Sequence, residues 1–172
     1  MGRNGKTFDF FLNTQYNERM KLIPFEETDY LSLRAFMQPL WLETYGGFLP
    51  KKQIELLLDK YFSTSGIARY RSEGYEYFKV DDVGVLVICE RTTDVYLDKL
   101  YLLPSARGKG YAGFVFDELL KRGKDITLNV NQNNARAVAC YQKNGFTVDK
   151  QVEIPLGGGM VNHDYVMRKK AK

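Results

Sequence analysis

The chain has 172 residues, 44% of them hydrophobic and 27% charged, and its formal net charge is +4. This length suits one domain with a substantial core. The charge is too small to argue for nucleic acid, and no apolar run approaches the roughly 18 residues of a membrane span. We therefore predict a cytoplasmic protein with no nucleic-acid or membrane partner. Residues 1–18 are predicted to form an N-terminal extension and residues 19–172 a single domain.

The cysteines and the histidine argue against a metal centre. Cys89 and Cys140 lie within apolar stretches, which is typical of buried free thiols in a reducing compartment. His163 is the single histidine. One histidine and two separated cysteines provide no set of metal ligands, so we predict no metal site.

Hydrophobic periodicity divides the first half of the chain into a strand followed by helices. The predicted elements are a strand at 19–25, a helix from about 28 to 45, a helix at 51–62 and a helical connection at 63–74. Thr28 or Asp29 is expected to cap the first helix. Pro39 is expected to kink or split it, because proline removes a backbone donor from a helix.

The second half is predicted to contain most of the sheet. Its predicted elements are strands at 75–80, 83–90, 95–103, 126–130, 146–154 and 164–168, with helices at about 111–120 and 134–144. Short turns between strands favour antiparallel neighbours, whereas the two helices favour crossovers. We predict an α+β fold with a mixed, mostly antiparallel sheet and a flexible hairpin tip at 155–162.

The stretch 100–113, LYLLPSARGKGYAG, joins an apolar strand to a helix through a glycine turn. The first backbone N–H groups of a helix have no intrahelical acceptor, and the helix dipole adds partial positive charge there. Gly108 and Gly110 would let an anion approach those groups, and Arg107 and Lys109 add formal charge. The stretch therefore predicts a pyrophosphate site.

Three phosphate-binding patterns can be compared with this stretch. Residues 108–113 fit G-x-G-x-x-G, but a dinucleotide site also needs an acidic residue about 20 positions further on. The next strand runs into Asn129 and Asn131 instead, which argues against a nucleotide-dependent oxidoreductase. A Walker A loop fails because no Gly-Lys-Ser/Thr follows at the required spacing. The third pattern, Arg/Gln-x-x-Gly-x-Gly/Ala, is met by Arg107, Gly110 and Ala112.

These residues resemble the cofactor motif of the GNAT superfamily of acetyl-CoA-dependent N-acyltransferases. The block 134–146, NARAVACYQKNGF, resembles a second, downstream motif of that superfamily. The resemblance covers residues 75–168 well and residues 20–74 loosely. It implies an N-acetyltransferase whose sheet splays open after the central strand, leaving a V-shaped slot for the pantetheine arm of acetyl-CoA.

The resemblance also implies roles for particular residues. Tyr141 would act as the general acid beside the thioester sulfur, because a phenol with a pKa near 10 stays protonated at neutral pH. A packing role on its helix is the alternative for Tyr141. The residues implied to bind acetyl-CoA are Leu100, Tyr101 and Leu102 through their backbones, the loop residues Arg107, Gly108, Lys109, Gly110, Tyr111 and Ala112, and Asn134 and Lys143.

The segment between the first two helices is implied to line the acceptor pocket. Trp41, Glu43 and Tyr45 combine aromatic rings with a carboxylate. This combination suits the cationic amine of a small molecule, with a polyamine-like amine favoured.

The general base and the activity itself stay open at this stage. The candidate bases are Asp98, Glu43, Glu90 and water, and His163 is less favoured. Two functions compete with small-molecule acetylation: a non-catalytic acyl-CoA-binding or sensing module, and acetylation of a protein or peptide amine. A homodimer is compatible with the sequence.

Overall fold

The structure, a computed structural model, describes residues 20–157 and 159–172. The predicted extension at 1–18 lies outside these residues. The described part contains strands β1 Leu22–Pro24, β2 Tyr75–Val80, β3 Gly84–Glu90, β4 Asp94–Leu102, β5 Asp125–Asn131, β6 Thr147–Gly157 and β7 Met160–Lys169, and helices α1 Tyr30–Tyr45, α2 Lys51–Phe62, α3 Thr64–Ser72, α4 Tyr111–Leu120 and α5 Ala135–Lys143.

The seven strands form one sheet in the order β1-β2-β3-β4-β5-β7-β6. The parallel pair is β4 with β5, because α4 carries the chain back across the sheet between them. The other neighbouring strands pair antiparallel. The predicted α+β fold with a mostly antiparallel sheet is confirmed.

The sheet separates two hydrophobic clusters. On one face, Phe116 of α4 packs against strand residues such as Leu97 and Leu128. On the other face, Met37 and Leu58 of α1 and α2 pack against strand residues such as Val87. We refer to these as the α4 face and the α1–α3 face. Because side chains alternate along a strand, each strand residue can be assigned to one of them.

Helix α1 runs unbroken through Pro39, so the expected split does not occur. Proline removes one helical hydrogen bond. The helix is held by the burial of Leu33, Met37 and Trp41 against the α1–α3 face, and tertiary packing of this kind supplies most of the stability of protein helices.

Asp29 precedes α1 but does not cap it with its side chain. Its carboxylate accepts a hydrogen bond from the N–H of Glu26 at 3.0 Å and one from Lys79 Nζ at 2.6 Å. The expected capping role of Asp29 is therefore wrong. Its carboxylate is bonded within the short 3₁₀ turn at Glu27–Asp29 and to the lysine of β2, so it does not bind the N–H groups of α1.

The hairpin of β6 and β7 is longer than the sequence predicts. Residues 155–162 are predicted as a flexible tip, but strand pairing continues through Pro155↔Val161 to Gly157↔Met160. Proline is tolerated here because β6 is the edge strand of the sheet and the register shifts beside Pro155. An edge strand has backbone donors that need no ladder partner.

Candidate active site

Strands β4 and β5 separate part-way along their length. Their pairing ends at Leu97↔Leu128, although β4 continues to Leu102 and β5 to Asn131. A register shift in the β3–β4 ladder places Ile88 opposite Leu97 and Val87 opposite Lys99, so Asp98 forms a bulge where the strands part. Bulges bend a strand and increase its twist. The predicted splayed slot is thus present, and we call it the opening.

The far half of β4 turns alternate backbone groups towards the opening, where the carbonyl of Leu102 accepts a hydrogen bond from Arg107 Nε at 3.2 Å. The N–H of Leu103 donates to the carbonyl of Val83, the residue that precedes β3, at 2.8 Å. In an antiparallel ladder, alternate residues turn their N–H and C=O groups to opposite sides. Tyr101 therefore bonds on the side of β3, as Leu103 does, whereas the N–H groups of Leu100 and Leu102 point into the opening.

The glycine loop lies between β4 and α4, at the end of the opening. Gly108 and Gly110 have φ angles of +74° and +88°, and no atom lies within 4 Å of the position that a Cβ would take on either residue. Among the described residues, no backbone carbonyl accepts a hydrogen bond from the N–H groups of Gly108, Lys109 or Ala112. Open glycines and free donors at a helix N-terminus form a cradle suited to a phosphate.

Glu43 joins the glycine loop to α5. Its carboxylate accepts two hydrogen bonds from Arg107, at 2.7 and 2.6 Å, and one from Arg136 at 3.2 Å. Arg107, and to a lesser extent Arg136, lowers the pKa of Glu43 from 4.5 to about 2. The sequence assigns Arg107 to acetyl-CoA and Glu43 to the acceptor. The structure pairs the two with each other, and both roles stay predictions.

Tyr141 lies on α5 and approaches the opening from the α4 face. Its ring is 5.4 Å from that of Phe146 and 5.9 Å from that of Phe116, measured between centroids. Burial raises the pKa of Tyr141, and Tyr45 and Tyr96 add smaller contributions. Since Tyr45 and Tyr96 belong to the α1–α3 face, the Tyr141 phenol lies within electrostatic range of both sides of the opening.

Helix α5 begins and ends where the sequence predicts. The Asn134 side chain accepts a hydrogen bond from the N–H of Ala137 at 3.2 Å, so it caps the helix. Gly145, with a φ of +86°, follows the helix. Lys109 and Lys143 are exposed, and their contacts with a cofactor stay predictions.

Aromatic side chains cluster on the α1–α3 face beside the far half of β4. The phenol oxygens of Tyr45 and Tyr101 are 2.7 Å apart. The Trp41 ring lies 5.0 Å from the Tyr45 ring and 6.0 Å from the Tyr101 ring, and the Trp41 indole N–H is buried without an acceptor among the residues the structure describes. Two predicted acceptor residues, Trp41 and Tyr45, thus lie together with a phenol of β4.

On the same face, a lysine of the protein lies between aromatic rings and a carboxylate. Lys99 Nζ donates to Asp98, and it lies 3.9 Å from the centroid of the Tyr61 ring and 5.7 Å from that of Tyr70. Aromatic rings beside a carboxylate attract ammonium groups. Asp98 is therefore already paired with a cation.

The other candidate bases are also paired or exposed. Glu90 accepts hydrogen bonds from Arg122 at 2.6 Å and Lys124 at 2.8 Å. The His163 side chain is 60% exposed. A carboxylate that the sequence analysis did not single out, Asp164 on β7, is only 6% exposed. Alternation along β7 gives its face, but the sequence alone does not show that β7 pairs with β5.

Two further features concern membranes and metals. Within residues 20–157 and 159–172, no helix has both the length and the apolar composition required to cross a bilayer. In the same part of the chain, no group of three or more His, Cys, Asp or Glu side chains is arranged to hold a metal ion.

Comparison with known protein families agrees with the geometry of the opening. The family model described as Acetyltransferase (GNAT) family matches residues 36–146. This chain belongs to the GNAT acetyltransferase family. The GNAT match includes the glycine loop, both strands that form the opening and the whole of α5, so the predicted family is confirmed.

Curated relatives of this GNAT chain match it over part of their length. An uncharacterized N-acetyltransferase of Mycobacterium tuberculosis is 40% identical over 79 residues, which are 43% of this chain and 50% of the relative. The peptidyl-lysine N-acetyltransferase YjaB of Salmonella typhimurium is 34% identical over 62 residues, or 36% of this chain and 43% of that protein. The chain thus matches half or less of the length of these relatives.

Solved structures share the GNAT fold over most of the chain. The PaiA N-acetyltransferase of Thermoplasma acidophilum, determined in complex with coenzyme A, has a TM-score of 0.67 and 21% identity, covering 88% of this chain and 98% of that one. The dodecameric spermidine N-acetyltransferase of Vibrio cholerae has a TM-score of 0.58 and 17% identity, covering 90% and 95%. At these identities the likeness establishes the fold.

Proposed function

We propose that this GNAT chain transfers the acetyl group of acetyl-CoA to the primary amine of a small molecule, with Tyr141 as the general acid. The observation that carries the proposal is the opening between β4 and β5, which places free N–H groups of a strand edge next to a glycine cradle. An extended chain can bind such an edge as an added strand. Acetyl-CoA combines an extended pantetheine arm with a diphosphate, and so fits both features.

The residues that would hold acetyl-CoA follow from this arrangement. The N–H groups of Gly108, Lys109 and Ala112 would bind the diphosphate, with Tyr111 and Gly110 completing the loop. The β4 backbone at Leu100–Leu102 would bind the pantetheine arm. Asn134, which caps α5, and Lys143, the last residue of that helix, remain proposed contacts of the arm.

The chemistry that acetyl-CoA supplies is an activated thioester carbonyl. The N–H of Leu102 points into the opening and would polarise that carbonyl, as a backbone donor in an oxyanion hole does. Tyr141 would give its proton to the departing sulfur. Burial raises the pKa of Tyr141, so the phenol stays protonated at neutral pH. Burial also raises the proton affinity of the thiolate that forms on coenzyme A, so this thiolate can accept the proton.

The acceptor is proposed to be a cationic amine, with a polyamine-like amine favoured. The support comes from Trp41, Tyr45 and Tyr101 around the opening. The Lys99 ammonium, which lies over Tyr61 beside Asp98, shows that this face accommodates a cation. Similarity of the fold to a spermidine N-acetyltransferase is compatible with this choice.

A second candidate is acetylation of a peptide lysine. The observation that favours it is the sequence identity with a peptidyl-lysine N-acetyltransferase over 62 residues. A lysine side chain presents the same primary ammonium group as a small amine, so the chemistry at the opening would be shared.

A two-step experiment tests the proposal. Thermal unfolding is first measured with acetyl-CoA, coenzyme A and NAD, and stabilisation by the two coenzyme A species but not by NAD is expected, since a ligand that binds only the folded state raises its stability. Thiol release is then measured with polyamines, amino acids, aminoglycosides and lysine peptides. Turnover confined to lysine peptides would select the second candidate, and binding without any turnover would select a sensing module.

A further inference from the structure

Asp164 is a buried carboxylate with one oxygen that has no hydrogen-bond partner among the described residues. It is 6% exposed, and the oxygen without a partner is Oδ1. No cationic side chain of the described residues forms an ion pair with it. Buried polar atoms nearly always have partners, and an unpaired buried charge is costly to the fold. A buried carboxylate with an unpaired oxygen requires an explanation.

The position of Asp164 in the sheet places it at the opening. It pairs with Asn131 on β5, three residues beyond Leu128, where the pairing of β5 with β4 ends. Its neighbour Tyr165 belongs to the cluster of the α4 face. By alternation, Asp164 therefore lies on the α1–α3 face, the face of the proposed acceptor residues.

The groups around Asp164 come from three elements. Burial raises the pKa of Tyr45 of α1 and of Tyr96 of β4, and the carboxylate of Asp164 adds a smaller contribution to both. His163 lies beside Asp164 on β7. Tyr45 and Tyr96 are also the electrostatic neighbours of Tyr141. Asp164 and Tyr141, the proposed general acid, thus both have the phenols of Tyr45 and Tyr96 as electrostatic neighbours. Asp164 lies on the acceptor side of these phenols.

The three carboxylates that the sequence suggests as bases are all compensated. Asp98 is bonded to Lys99, Glu43 to Arg107 and Arg136, and Glu90 to Arg122 and Lys124. The arginine and lysine partners lower the pKa of Glu43 and of Glu90, which makes these two carboxylates weaker proton acceptors. Burial instead raises the pKa of Asp164, and His163 opposes this only in part. A carboxylate with a raised pKa is the better base near neutral pH.

We propose that Asp164 is the proton acceptor for the attacking amine, a role that rests on the proposed function. The acceptor ammonium transfers one proton to Asp164 Oδ1, and the freed lone pair forms the bond from nitrogen to the acetyl carbon. The carbon–sulfur bond breaks, and its electron pair stays on sulfur. Tyr141 gives its proton to that sulfur, and a second proton from the ammonium group then reprotonates Tyr141. The third ammonium proton stays on the amide nitrogen. Asp164 later releases its proton to solvent.

The test compares Asp164→Asn, Asp164→Glu and Asp98→Asn with the wild type. Asp149→Asn on β6, whose carboxylate is bound by Arg168, is the matched control. The amine that the wild type turns over best serves as acceptor, and kcat and kcat/KM are both measured from pH 6 to 10. Acetyl-CoA binding and the unfolding temperature without ligand are measured for every variant.

Asp164→Asn should lower kcat by about 100-fold or more, the range of general base catalysis, with acetyl-CoA binding unchanged. The remaining rate should rise steadily with pH, because only amine already deprotonated by solvent reacts, and Asp164→Glu should restore part of the rate. The unfolding temperature of Asp164→Asn should equal or exceed that of the wild type, since an unpaired buried charge is removed.

Two results would overturn the proposal. The first is activity of Asp164→Asn at the wild-type level, and a loss of activity in Asp98→Asn alongside it would assign the proton transfer to Asp98. A lowered unfolding temperature with an unaltered pH profile would make Asp164 structural. Failure of the proposed function itself is recognised separately, because the wild type would then turn over no amine at all.

Discussion

The proposed acid catalysis depends on the side-chain phenol of Tyr141. It is surrounded by Phe116 and Phe146 on one side and lies within electrostatic range of Tyr45 and Tyr96 on the other. These neighbours keep the phenol neutral and close to the opening. The same ring also packs in the core, so catalysis and packing must be separated by experiment.

Tyr141→Phe should lower kcat by roughly 10- to 1000-fold, because the ring is kept and only the proton donor is lost. Acetyl-CoA affinity, measured by calorimetry, should stay within twofold of the wild type. Tyr165→Phe, which alters another half-buried tyrosine of the same cluster, is the control and should leave kcat unchanged. Equal turnover by Tyr141→Phe and the wild type would assign Tyr141 to packing alone.

Glu43 makes the stability of the fold depend on pH at the acidic end. Its folded-state pKa of about 2 lies below the usual 4.5. Its ionised form therefore stabilises the fold above pH 4.5, and this contribution is lost as the pH falls towards 2. Because 40% of the side chain is exposed, solvent screening keeps the effect small.

Glu43→Gln should lower the urea midpoint slightly at pH 7, and its difference from the wild type should shrink at pH 3. Added salt should also reduce the difference, since exposed ion pairs are screened. Glu153→Gln, at a side chain that is 73% exposed, should match the wild type at both pH values. A deficit of the same size at pH 3 and pH 7 would show that Glu43 acts through packing.

At the scale of elements, the strand–loop–helix unit of β4 and α4 carries the proposed anion cradle. Gly110 has a φ of +88° and precedes α4 directly. Gly123, in the turn after α4, has a φ of +73°, and open space also surrounds its Cβ position. Both glycines therefore adopt a left-handed backbone conformation, but only Gly110 lies in the glycine cradle.

Gly110→Ala and Gly123→Ala should each destabilise the fold by about 1–2 kcal/mol, the cost of a left-handed conformation for an L-residue. Only Gly110→Ala should weaken acetyl-CoA binding, by about tenfold or more, since its methyl group would enter the space of the phosphate. Urea unfolding and calorimetry measure the two quantities. Equal loss of affinity in both variants would place the diphosphate elsewhere.

At the scale of the whole molecule, binding in the opening would link ligand affinity to stability. A ligand at 100 times its Kd that binds only the folded state stabilises it by about 2.7 kcal/mol. For a chain of this size, this corresponds to a rise in unfolding temperature of roughly 5–11 °C. We expect this rise with acetyl-CoA in differential scanning fluorimetry. The same rise with NAD would contradict the assignment of the cradle to coenzyme A.

Local sequence patterns were sufficient for most of the fold. The helix at Lys51–Phe62 and the strand at Tyr75–Val80 have the predicted bounds, because apolar periodicity and clear turn residues mark both ends. Predictions failed where distant packing decides the outcome. Pro39 does not split its helix, which is held against the sheet, and Pro155 stays within an edge strand.

The sequence by itself determined the family and the glycine loop, because the residues of a loop–helix anion cradle are neighbours in the chain. Only the tertiary structure decided which side chains meet across the opening. It pairs Glu43 with Arg107, 64 positions apart, and brings Asp164 of β7 beside β5, opposite Asn131. Such contacts depend on the order of strands in the sheet and on the register of each pair, which no local pattern encodes.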